Sequence, residues 1–147
     1  VHIIDRFREI NITTANSLVV KYFHDGSVIQ VNPTFYVSEV HRDENTNELS
    51  VTAYDCLHKA ESIAWETIDS SIHGTTNIAA LMTYCKEAVG AKALLVNAPY
   101  TNAWKDLQYT NGGNLEGSET VKDIMDALAE VTNSIYYIDK NDYLYFS

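Results

Sequence analysis

Residues 34–64 read TFYVSEVHRDENTNELSVTAYDCLHKAESIA, and the fold turns on a change of period inside them. From Thr34 to His41 the residues alternate, with Phe35, Val37 and Glu39 on one side and Tyr36, Ser38 and Val40 on the other. That two-residue period is the signature of a strand. Arg42–Glu48 is polar turn chemistry, and Leu49, Val51 and Ala53 then share one face of a second strand, so the pair predicts a hairpin. At Asp55 the alternation stops. Its carboxylate is placed to cap a helix running through Cys56–Ala64.

Outward from this junction the chain divides by type of element. Upstream, Ser17–Phe23 is rich in β-branched and aromatic residues, His24–Ser27 is a turn, and Val28–Val31 is a short strand. Asn32-Pro33 is expected to close that strand, because proline brings no N–H to a ladder. Downstream of the connector Trp65–Gly74, Ile78, Leu81, Met82, Cys85 and Val89 form a helical stripe. Thr75 or Thr76 is the expected cap of this helix and Gly90 its stop. Ala93–Val96 reads as a short strand and Asn97–Ser118 as a long polar stretch. A third helix starts near Ser118–Thr120, with Val121, Ile124, Met125 and Leu128 inward, a capping-box spacing at Thr120 and Asp123, and an end at Asn133. Ile135–Ile138 and Tyr143–Phe146, joined by the turn Asp139–Asp142, predict a closing hairpin.

The expectation is therefore an α+β fold: an antiparallel β-rich portion over 1–54, then three helices and a C-terminal hairpin over 55–147. The expected core is Leu18, Val20, Phe35, Val37, Leu49, Val51, Leu57, Ile78, Leu81, Met82, Cys85, Ile124, Leu128 and Ile138, with the third helix packed on the final hairpin.

The chain has 147 residues, 46% of them hydrophobic and 20% charged, with two Pro and six Gly. That is a globular composition, and the length suits one domain or two small ones. Twenty acids against ten Lys and Arg give a formal charge of −10, and no basic cluster exceeds Arg6-Phe7-Arg8. Phosphate binding requires clustered cations, so neither nucleic acid nor an anionic membrane is an expected partner. No apolar run approaches the roughly 18 residues of a membrane span. Cys56 and Cys85 lie in no CxxC motif and read as two buried free thiols. The Val at position 1 and a strand pattern running to Phe146-Ser147 are what a piece of a longer chain would show.

Catalytic signatures are weak throughout. His2, His24, His41, His58 and His73 stand in no nucleophile motif, and C-x-H at Cys56 and His58 has no second pair to complete a zinc site. Asn111–Asn114 lacks the Lys-Thr of a phosphate loop, and the turn Asp139–Asp142 breaks the calcium-loop pattern. Glu116 and Glu119, near the start of the third helix, are placed to favour its dipole. No cofactor and no metal is expected. The aromatic residues are the stronger signal: Tyr136, Tyr143 and Tyr145 in the last hairpin, with Trp104 in the long polar stretch, form a candidate interaction surface.

The order of elements, and certain words within it, resembles the tail-tip hub proteins of phages and prophages of Gram-positive bacteria. The matching words are Phe35–Asp43 running into Leu49–Asp55, the junction V-T-A-Y-D-x-L, the helix Asn77–Gly90, and Gly117–Glu130. In the last of these the family's G-x-T-x-R-D-x-L-x-x-I-A-E carries Lys122 for Arg and Leu128 for Ile, and Asn141-Asp142 stands where many members have Asp-Gly. The resemblance covers about residues 17–147 and transfers no catalytic residue. It implies a non-enzymatic structural component of the virion tail tip, made in the bacterial cytoplasm, with residues 1–54 as a barrel-like hub piece. The implied partners are the distal tail protein and the tape measure, with self-association as a trimer in the full-length protein. Two rival expectations are a carbohydrate- or receptor-binding module using Trp104 and the tyrosines, and a cell-wall hydrolase fragment using acids such as Glu116.

Overall fold

The computed structural model describes residues 2–4, 10–65, 75–97, 108–110 and 119–147, and the fold is mixed α+β. The chain groups into two compact units, Val1–Asp55 and Cys56–Ser147.

The first unit is a four-stranded antiparallel sheet in the order β1-β4-β3-β2, built from β1 (His2–Ile4), β2 (Ser17–His24), β3 (Ser27–Asp43) and β4 (Glu48–Tyr54). The sequence placed a break at Asn32-Pro33, but β3 runs unbroken for 17 residues. The ladder survives proline through a bulge. The register slips there, so that Asn32 and Pro33 together oppose Val20, and the missing N–H falls where the ladder is already interrupted. A second slip at Ser38 overturns the expected facing of the next residues. Beyond the bulge Glu39 pairs with Thr52 and Val40 with Val51, so Val40 joins the apolar face and Glu39 turns to solvent. The unit's core is small: Val37, Leu49 and Val51 are buried, with Ile12, Leu18, Val40 and Ala53 packed around them. Arg42 Nη2 donates to the Ile10 carbonyl at 2.8 Å, which ties the segment before β2 to β3.

In the second unit the segment expected as a helix from Asp55 is a 3-10 helix, Cys56–Glu61. It ends where the N–H groups of Ser62 and Ile63 and the Ser62 hydroxyl all reach the Lys59 carbonyl. Strand β5 (Thr75–Asn77) pairs antiparallel with β7 (Gln108–Thr110), which falls inside the stretch expected to be irregular. Helix α1 (Ile78–Val89) is capped by Asn77, whose side chain accepts from the Ala79 N–H at 2.8 Å, not by Thr75 or Thr76. The threonines belong to the strand, and Asn is the better cap. Gly90 closes α1 at φ 79°. Helix α2 (Val121–Thr132) carries the expected capping box between Thr120 and Asp123 and stops at Asn133, φ 49°.

Strands β6 (Ala93–Val96), β9 (Tyr143–Phe146) and β8 (Tyr136–Ile138) form a sheet in that order, β6 parallel and β8 antiparallel to β9. One face of this sheet joins α1, α2 and the 3-10 helix in a single core containing Leu81, Met82, Cys85, Met125, Leu128, Leu144 and Phe146. Trp65, expected in a connector, is 4% exposed and belongs to this core. Its backbone N–H donates to the Glu119 carbonyl at 2.8 Å, and the Val121 backbone N–H to the Ile63 carbonyl at 2.9 Å, which ties the segment to the start of α2. Cys56 and Cys85 are buried and free. Of the expected core, Leu18, Val20, Phe35 and Leu57 are only half-buried, because each lines an open hollow described below.

Candidate functional site

Alternation along β8 and β9 sorts the C-terminal tyrosines onto two faces. Leu144 and Phe146 point into the core, as does Ile138, so Tyr143 and Tyr145 face away. Tyr137 pairs with Tyr145 across the strands, their rings stacked at 5.2 Å with only 5° between planes, and Leu95 stands in register on the other side of Tyr145. Tyr145 ionises above the usual tyrosine range, through desolvation first and then the charge of Asp139. The result is an outward aromatic row on one sheet face.

Tyr136, named with Tyr143 and Tyr145 from the sequence, lies on the opposite face. Its ring meets Phe146 at 5.7 Å, and its hydroxyl donates to Asp126 Oδ1 at 2.5 Å. Burial, then that hydrogen bond, push its ionisation well above the ordinary tyrosine value. Lys122 Nζ donates to the other Asp126 oxygen at 2.7 Å. Burial works against the Asp126 charge, but the hydrogen bonds from Lys122 and Tyr136 hold its pKa below the usual carboxylate value. Beside this network lies a hollow of about 180 Å³ lined by Leu57, His58, Ala60, Glu61, Lys122 and Tyr136.

The ionisable groups around this hollow pair with one another: Lys122 and Tyr136 on Asp126, and His58 Nδ1 with Glu61 at 3.7 Å. Of these pairs, the one from Tyr136 to Asp126 joins β8 to α2, and the other two each lie within one helix. The thiol of Cys85 is pushed up to about 12 by burial, which keeps it protonated. Among the described residues no three His, Cys, Asp or Glu side chains gather as a metal site requires. His24 and His41 are exposed on the first unit, His24 beside Asp25 at 3.4 Å. Trp104, Glu116 and His73 lie outside the described residues, as does the side chain of His2.

The first unit presents a surface that no sequence motif marks. Residues 21–31 form a two-stranded ribbon that outruns β4, since β4 pairs only with Tyr36–Asp43 of β3. Its tip, Asp25-Gly26, turns with both φ angles positive (48° and 77°), the conformation favoured in two-residue hairpin loops. Tyr22, Phe23, Val28 and Ile29 are all exposed on it, Phe23 at 62% and Ile29 at 66%. At the base of the ribbon an apolar groove of about 260 Å³ is lined by Leu18, Val20, Tyr22, Asn32, Phe35, Val51 and Ala53. A signal for it exists in the residues: Val19, Val20, Tyr22, Phe23, Val28, Ile29 and Val31 are apolar at both parities, which a half-buried strand does not require.

No family model matches the sequence, and no curated protein is significantly similar to it. Among solved structures, the chain is similar in fold to the 43 kDa tail protein of prophage MuSo2 from Shewanella oneidensis. The two are 13% identical with a TM-score of 0.57 over 89% of this chain and 45% of that one. The prophage tail protein gp18 from Listeria monocytogenes EGD-e aligns at 17% identity and a TM-score of 0.47, over 88% of this chain and 39% of that one. The chain thus spans less than half the length of either protein. The first comparison establishes a shared fold.

Proposed function

We propose that this chain is a structural module of a phage or prophage tail, part of the hub at the tail tip, that works through protein–protein assembly and not catalysis. The observation that carries the reading is the fold shared with a prophage tail protein over 89% of this chain. The hydrogen bond from the Tyr136 hydroxyl to Asp126 agrees with it, since it spends that carboxylate on holding β8 to α2. The two units correspond to a barrel-like hub piece and an α+β piece. The partners are the distal tail protein and the tape measure, with self-association as a trimer in the full-length protein, and neither nucleic acid nor membrane is engaged. Among the described residues no helix is long and apolar enough to cross a membrane.

Immunogold labelling of negatively stained tails with an antibody to this module tests the proposal. Gold at the tail tip is the expected result; tails labelled elsewhere, or unlabelled, overturn it. The outward stack of Tyr137 on Tyr145 favours a second reading, in which the module grips a saccharide by its ring faces. Cell-wall pulldown lost on Tyr145→Ala would support that alternative over a purely structural role.

A further inference from the structure

No further inference is drawn: the strongest candidate, the exposed β2–β3 ribbon of the first unit with the apolar groove at its base, is an unpartnered apolar surface, and nothing in the structure shows what covers it.

Discussion

Tyr136 joins a β-strand to a helix by a single hydroxyl, and its burial is what makes that bond count. Replacing it with Phe removes the donor to Asp126 but keeps the ring against Phe146. The expected loss is about 1–2 kcal/mol by chemical denaturation, since the acceptor is charged and keeps Lys122 as a partner. The pH dependence has a definite sign. The folded protein holds this phenol protonated above its unfolded value of about 10, so the bond's contribution is full below that pH and is lost as pH rises through the higher folded value. The gap in stability between native and Tyr136→Phe chains should therefore be constant at neutral pH and shrink in alkaline denaturation series. Asp123 runs the other way. Hydrogen bonds from the Thr120 backbone and hydroxyl lower its pKa, so its capping contribution is present above about pH 4 and fades as pH falls through the depressed value. Thr120→Ala should cost about 1 kcal/mol in thermal or urea melts at neutral pH.

At the scale of elements, β3 decides most. Its bulge at Ser38 resets the alternation, and the residues on either side of it respond differently to charge. Val40→Asp places a carboxylate on the small apolar face shared with Val37 and Val51 and should destabilise the first unit by about 2 kcal/mol or more. Glu39→Lys, on the exposed side, should stay within about 0.5 kcal/mol in the same urea titration. Equal effects from the two would mean that the register runs straight through Ser38. Helix α1 depends on its stop in a comparable way. Gly90 holds φ 79°, and a Cβ added there would meet no atom within 4 Å. Gly90→Ala therefore makes no clash and should cost only the left-handed backbone strain of roughly 1–2 kcal/mol.

For the molecule as a whole, the two units differ in how much they bury. The second encloses Trp65, Met82, Cys85, Met125, Leu144 and Phe146 among many others, whereas the first fully buries three apolar side chains among its described residues. A fragment of residues 56–147 should therefore melt cooperatively by itself, and a fragment of residues 1–55 should melt at lower temperature or without a sharp transition, as calorimetry would show. Phe146→Ala should cost about 3–5 kcal/mol, because that ring is wholly buried between helices and sheet. Loss confined to a single calorimetric transition would assign it to the second unit.

Local pattern alone determined the α+β class, the β4 strand, the α-helices α1 and α2, the capping box of α2 and the closing hairpin. Each follows from periodicity and short-range hydrogen bonding within a few residues. The aromatic row was half legible: the tyrosines stood out by type, but only the phase set by Leu144 and Phe146 sends Tyr136 inward and Tyr137 outward. Tertiary structure decided the rest. It carried β3 through Pro33 by a bulge, paired β5 with β7 across the chain, laid β6 parallel to β9, and drew Trp65 into the core. The groove and the exposed ribbon also belong to it, because a volume between strands and the exposure of a ribbon depend on partners far apart in sequence, which no local period encodes.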